Sequence, residues 1–210
     1  MINALISRNN LRYIIVGTGR SGTKYTSYNL NLNDIVCGHE NIFNPEKAFP
    51  EKDNKFIAES SWLAVPYLKY YTDLKLYHVV RDPVKVIESY VNRGFFSGED
   101  PYAPSYKKFL IKHLPEISDI SDSVEASIFH VVEWSKLIKK VVGTKFYKLE
   151  TDFVELLEDI GIQDPKIYQN KKFNTNIRTK YFKLNLSSVK DPYRKMIYEH
   201  MEEYGYNDFK

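Results

Sequence analysis

A short apolar run that leads directly into a glycine-rich turn constrains the fold more than any other feature. Residues 12–16 are rich in β-branched side chains and end at Gly17, a pattern typical of a buried strand. The turn (Gly-Thr-Gly-Arg-Ser-Gly-Thr-Lys) opens a segment of helical character at residues 23–32. A helix N-terminus has free N–H groups and a positive dipole end, so it attracts anions. The sequence therefore predicts an α/β fold with a phosphate-binding loop.

Strand-like and helix-like segments alternate along the rest of the chain. Further strands are predicted at residues 34–38, 55–59, 74–80 and 144–149, and helices at 63–68, 83–91, 123–140, 152–160 and 193–204. Residues 95–123 contain several glycine and proline breakers and are interpreted as a lid or substrate-facing insert. The alternation predicts an α/β fold with a three-layer, mainly parallel sheet of about five strands and helices on both faces. Residues 1–210 are expected to form a single domain.

Charge and cysteine content exclude several classes of protein. The net charge of +3 suits a site for a polyanionic small molecule, but is well short of that of a protein that coats nucleic acid. Cys37 is the only cysteine, so neither an intrachain disulfide nor a zinc framework is expected. The sequence has neither an apolar run of about 18 residues nor a signal-peptide core, so we expect a cytoplasmic protein without a membrane span.

The glycine pattern fits two large nucleotide-binding families to different degrees. Gly17-x-Gly19-x-x-Gly22 matches the dinucleotide fingerprint, and Glu40 could then bind a ribose, as in an NAD(P)-dependent oxidoreductase. The same glycines begin a Walker motif, but Thr23-Lys24 reverses the order that the motif requires. An ATPase or kinase is therefore disfavoured, and the oxidoreductase stays open as an alternative.

Two separated motifs resemble the nucleotide-binding elements of sulfotransferases. Arg20-Ser21-Gly22-Thr23 is similar to that family's 5′-phosphosulfate loop, commonly [Lys/Arg]-[Ser/Thr]-Gly-[Thr/Ser]. In the family the fourth main strand ends in Arg-[Asp/Asn]-Pro, and a serine eight residues after the arginine helps to hold the 3′-phosphate. Arg81-Asp82-Pro83 and Ser89 have this spacing here. Weaker similarity around Trp134 and Glu150 extends the resemblance over residues 12–160, and we interpret both of these side chains as structural.

The resemblance implies a P-loop-like sulfotransferase fold and a reaction. The chain would transfer a sulfuryl group in line from 3′-phosphoadenosine 5′-phosphosulfate (PAPS) to an acceptor hydroxyl or amine, releasing adenosine 3′,5′-bisphosphate, with no metal expected. The implied nucleotide contacts are Gly19, Arg20, Ser21, Gly22, Thr23, Lys24, Arg81 and Ser89, with Lys172 and Arg178 from a late basic loop. That loop lacks the Arg-Lys-Gly triplet of the cytosolic small-molecule subgroup. The acceptor class, whether a small molecule or a carbohydrate, is not determined by the sequence, and neither is the oligomeric state.

Three residues are the candidates for catalysis. Arg20 is expected to stabilise negative charge, because a guanidinium does not readily donate a proton. Glu40 and His39 follow the second strand, where several sulfotransferases place a catalytic glutamate, and Glu40 is preferred as the base. Residues 59–62 are expected to line the same cleft. A non-catalytic nucleotide-binding module, with both phosphate loops but no working base, stays open as a second alternative.

Overall fold

The computed structural model describes residues 10–46, 55–71, 73–168 and 181–206. Five strands form one sheet in the order β2-β3-β1-β4-β5, and every neighbouring pair is parallel. Their bounds are Tyr13–Val16 (β1), Cys37–Gly38 (β2), Ala58–Ser60 (β3), Lys75–Val80 (β4) and Tyr147–Lys148 (β5). The predicted α/β class with a five-stranded, parallel sheet is therefore confirmed.

Helices connect the strands and cover both faces of the sheet. The α-helices are Thr23–Leu32 (α1), Pro83–Arg93 (α2), Ala103–His113 (α3), Ser123–Val142 (α4), Phe153–Ile160 (α5) and Tyr193–Glu203 (α6). In the described part of the chain, 3₁₀ segments lie at Trp62–Tyr70, Pro115–Asp119 and Leu186–Ser188. The predicted helix at residues 63–68 is thus a 3₁₀ segment, and Pro66 inside it cannot donate an α-helical hydrogen bond.

The alternation of side chains along β1 divides the core into two layers. Ile14 and Val16 are fully buried in the larger cluster, which includes side chains of α2, α3, α4 and α6. Ile15 points to the opposite face and packs in a smaller cluster with side chains of α1 and α5. Because successive strand residues face opposite sides, this central strand is apolar throughout and is covered on both faces. These clusters give the three-layer arrangement.

The sequence before and inside α2 fixes where that helix begins and ends. Asp82 is the N-cap, and its Oδ1 accepts hydrogen bonds from the N–H groups of Val84 and Lys85. Pro83 stands at the first helical position, where its missing N–H costs nothing. Gly94 ends the helix in the left-handed conformation, with φ of 69°. The helix therefore starts directly at the carboxyl end of β4.

Residues 95–123 are more regular than the sequence indicated. They contain α3 and a 3₁₀ turn, and Phe109 and Leu110 of α3 are buried in the larger cluster. Two of the prolines that were interpreted as breakers stand in the first turns of these segments, Pro104 in α3 and Pro115 in the 3₁₀ turn. The segment is therefore in part a core element of the fold.

No helix in the described part of the chain combines the length and the hydropathy needed to cross a membrane. The cytoplasmic location stays a prediction.

Candidate nucleotide-binding site

The two predicted phosphate motifs leave the sheet at adjacent strand ends. β1 lies between β3 and β4, and the chain crosses from one side of β1 to the other between β3 and β4. In open parallel sheets, such a change of direction opens a crevice at the carboxyl ends of the strands, where ligands bind. The glycine-rich loop follows β1, and Arg81 follows β4. The topology thus brings both motifs to the same crevice.

Arg20 links the two motifs. Its backbone adopts a left-handed conformation, with φ of 70°, and its Nε donates a hydrogen bond of 2.9 Å to Ser89 Oγ. Arg81, which follows β4, also contacts Arg20, because its Nη1 donates a hydrogen bond of 3.2 Å to the Arg20 carbonyl oxygen. Two segments separated by about 60 residues in sequence are therefore joined by direct hydrogen bonds.

The surroundings of Arg20 favour the binding of an anion. Burial lowers the pKa of its guanidinium, and the nearby cations Arg93 and Arg81 lower it further, against opposing effects of Tyr90 and Asp100. The Asp100 carboxylate is already paired with Arg93. A guanidinium that is partly desolvated and crowded by other cations gains from a negatively charged ligand, because the ligand compensates both costs.

The loop itself presents unused hydrogen-bond donors. Ser21 Oγ is buried and has no hydrogen-bond partner within the described residues. Gly22 is the N-cap of α1 and has no side chain with which to bond the first N–H groups of that helix. A non-glycine residue would be strained there, because φ at Gly22 is 100° and Leu149 packs against it. These features fit the binding of a phosphate or sulfate group.

A buried pair of side chains, Tyr90 and His130, packs against the glycine-rich loop at Gly19. Tyr90 Oη and His130 Nε2 are 3.0 Å apart, and both residues are almost fully buried. The Tyr90 hydroxyl lies where a side chain on Gly19 would have to begin. Burial lowers the pKa of His130 to about 3, so its ring is neutral. A glycine is therefore required at position 19 by the close approach of the Tyr90 hydroxyl and not by an unusual φ.

Both predicted bases lie beside the start of α1. His39 Nε2 is 3.2 Å from Thr23 Oγ1, and it is 3.8 Å from the Glu40 carboxylate. Glu40 adopts a left-handed conformation, and its Oε2 accepts a hydrogen bond of 2.7 Å from the Tyr106 hydroxyl. Burial lowers the pKa of His39 despite the opposing effect of Glu40, so its imidazole is neutral at neutral pH and can accept a proton. Lys24 is exposed, and its charge also lowers the pKa of His39.

A buried carboxyl group to which the sequence analysis assigned no role, that of Glu59, also lies near the candidate bases. Glu59 is fully buried at the end of β3, and its Oε1 accepts hydrogen bonds from the N–H groups of Asn41 and Ile42. Its position as a charged residue directly after the apolar run at residues 56–58 was the available signal. In the next two positions Ser61 caps the 3₁₀ segment, whereas Ser60 Oγ is buried without a partner in the described part of the chain.

Trp134 and Glu150, which we interpreted as structural from the sequence, both make hydrogen bonds within the fold. Trp134 is fully buried, and its Nε1 donates to the carbonyl oxygen of Trp62 at 3.1 Å. Glu150 accepts hydrogen bonds from the Asp82 N–H group and from the Tyr206 hydroxyl. Glu150 therefore fixes the Arg-Asp-Pro turn that follows β4.

Two predicted nucleotide contacts, Lys172 and Arg178, lie outside the described residues. Within the described residues, no group of three or more His, Cys, Asp or Glu side chains is arranged to hold a metal ion.

Comparisons with protein-family models, with curated proteins and with solved structures found no match. The relationship to sulfotransferases therefore stays a resemblance based on the motifs.

Proposed function

We propose that this chain is a sulfotransferase that moves a sulfuryl group from PAPS to an acceptor hydroxyl or amine. The observation that carries the proposal is the meeting of its two motifs at Arg20, which hydrogen-bonds to Ser89 and accepts a bond from Arg81. PAPS has anionic groups on both its 3′ and 5′ positions. A site that binds it needs two sets of anion-binding groups within reach of one nucleoside.

In this proposal the donor is held by two sets of groups. The N–H groups in the first turn of α1, which the N-cap residue does not bond through a side chain, and the Ser21 hydroxyl bind the 5′-phosphosulfate. Arg81 and Ser89 bind the 3′-phosphate, and Arg20 lies between the two sets. Since Arg20 contacts Ser89 directly, its guanidinium can share the 3′-phosphate as well as stabilise charge on the transferred group.

Glu40 and His39 are the groups proposed to remove the acceptor proton. As the new bond from the acceptor oxygen or nitrogen to sulfur forms, the bond from sulfur to the phosphate oxygen breaks, and the acceptor proton passes to the base. The Tyr106 hydroxyl donates a hydrogen bond to Glu40, which is the kind of contact that an acceptor hydroxyl would make. The acceptor must therefore approach beside Tyr106 or displace its side chain.

The oxidoreductase alternative explains less of the site. It accounts for Gly17, Gly19 and Gly22, but it has no use for Arg81 and Ser89, or for the crowding of Arg20 by other arginines. The non-catalytic alternative shares the nucleotide site and differs from our proposal only at Glu40 and His39.

Calorimetric titration with adenosine 3′,5′-bisphosphate, NAD, NADP and ATP tests the proposal. We expect the bisphosphate to bind with an affinity on the order of micromolar, and the other ligands to bind at least tenfold more weakly. Arg81→Ala should abolish most of the binding. Arg194→Ala is the matched control, because this arginine is paired with Asp191 outside the crevice.

A preference for NAD or NADP, or equal binding by the Arg81→Ala variant, would contradict the proposal.

If the bisphosphate binds as expected, an assay for transfer of a radiolabelled sulfuryl group from PAPS to an acceptor distinguishes an enzyme from a binding module. The variants Glu40→Gln and His39→Gln would then identify the base.

A further inference from the structure

The buried carboxyl group of Glu59 holds the turn on which both candidate bases stand. Oε1 accepts hydrogen bonds of 2.9 Å from the Asn41 N–H group and 3.1 Å from the Ile42 N–H group. Asn41 in turn accepts a bond from the His39 N–H group through its Oδ1. Glu40 lies between these anchored residues in a left-handed conformation, with φ of 57°. One carboxyl oxygen therefore determines the backbone position of His39 and Glu40.

The second oxygen of the same carboxyl group has no partner. Glu59 Oε2 is buried and makes no hydrogen bond within the described residues. It occupies the place where a side chain on Gly38 would begin, in the neighbouring strand β2. A buried carboxyl group with one unbonded oxygen costs free energy, and the cost is largest when the group is charged. A purely structural anchor is expected to have both oxygens bonded.

We infer that Glu59 is a positioning residue for the acceptor-activating step, and that its ionisation tightens the turn that carries Glu40 and His39. The inference rests on the proposed function. Glu59 itself does not touch the reacting groups. It acts through the Asn41 and Ile42 N–H groups, and its hydrogen bonds to them become charge-assisted when the carboxyl group loses its proton.

The electrostatic surroundings place this ionisation in the neutral range. Burial raises the pKa of Glu59 to about 7, the bonds from the turn oppose the shift, and the Glu40 charge adds to it. The Cys37 thiol also interacts with Glu59, and it is held neutral because burial raises its pKa to about 12. The turn is therefore expected to be held more firmly above pH 7 than below it.

Nuclear magnetic resonance of the intact chain tests the positioning directly. The amide signals of Asn41 and Ile42 should titrate between pH 5.5 and 8.5 with a midpoint near 7, and Glu59→Gln should remove that titration. Gly38→Ala is the complementary variant, since it displaces the carboxyl group without removing its charge and should shift the midpoint. Amides that do not titrate in the wild-type protein, or that titrate unchanged in Glu59→Gln, would overturn the inference.

The pH profile of sulfuryl transfer tests the consequence for activity. The wild-type kcat should rise through a limb near pH 7, whereas Glu59→Gln should lose that limb and fall by roughly tenfold at pH 8. The KM for PAPS should change less than twofold, because Glu59 lies outside both phosphate motifs. A limb that persists in the variant contradicts the inference. Absence of bisphosphate binding in the wild-type protein contradicts the proposed function instead.

Discussion

At the scale of single residues, the candidate site depends on a close contact between Gly19 and Tyr90. We expect Gly19→Ala to destabilise the protein by about 1–3 kcal/mol, because its new methyl group would overlap the Tyr90 hydroxyl. Tyr90→Phe removes that hydroxyl, but leaves His130 Nε2 unpaired, at a cost of about 1–3 kcal/mol. The double variant should therefore be more stable than the sum of the two single effects predicts.

Urea unfolding of the four proteins measures this coupling as a double-mutant cycle. Strictly additive losses would show that the hydroxyl does not limit the space at Gly19.

Residue identity alone named candidate side chains for the site, but it did not show how they meet. The spacing from Arg81 to Ser89 could be predicted from the sequence, because Arg81 follows a predicted strand and Ser89 lies in the predicted helix after it. The contact from Arg20 to Ser89 was not, because it depends on a left-handed backbone at a residue that rarely adopts one. Glu59 was placed in the cleft but given no role, since its partners are backbone N–H groups that carry no sequence signal.

At the scale of elements, apolar periodicity predicted the bounds of most α-helices closely, but it missed α3 and made some of the strands too long. The helix predicted at residues 123–140 is α4, Ser123–Val142, with Asp122 as its N-cap. The strand predicted at residues 144–149 pairs only at Tyr147–Lys148. Strand bounds depend on pairing partners that lie far away in sequence, whereas a helix is bounded by its own caps. Helix α3 was missed because Pro104 was interpreted as a breaker without regard to its place in the first turn.

At the scale of the whole molecule, buried histidines should make the fold sensitive to acid. Burial lowers the pKa of His78 to about 3, that of His130 to about 3 and that of His200 to about 4. The unfolded chain takes up protons at these sites below about pH 6.5, whereas the folded chain does not, so stability falls as pH falls. The raised pKa of Glu59 has the opposite effect on stability, because the folded chain takes up that proton at a higher pH than the unfolded chain does. The effect of this one group is smaller than that of the three histidines together.

The free energy of unfolding, measured with urea from pH 7 to pH 5, should therefore decrease by up to about 1.4 kcal/mol per pH unit for each net proton. His200→Leu should make the dependence on pH shallower, whatever its effect on absolute stability. An unchanged slope would show that His200 binds its proton equally well in the folded and the unfolded chain.

The central claim is that Arg81 and Ser89 bind a 3′-phosphate in the crevice that Arg20 also lines. The most direct test compares the affinities of adenosine 3′,5′-bisphosphate and adenosine 5′-phosphate for the wild-type protein and for Arg81→Ala and Ser89→Ala. The account predicts that the 3′-phosphate tightens binding to the wild-type protein by about 10- to 100-fold, and that most of this gain is lost in both variants. An equal gain in all three proteins would contradict it, because the 3′-phosphate would then be bound elsewhere.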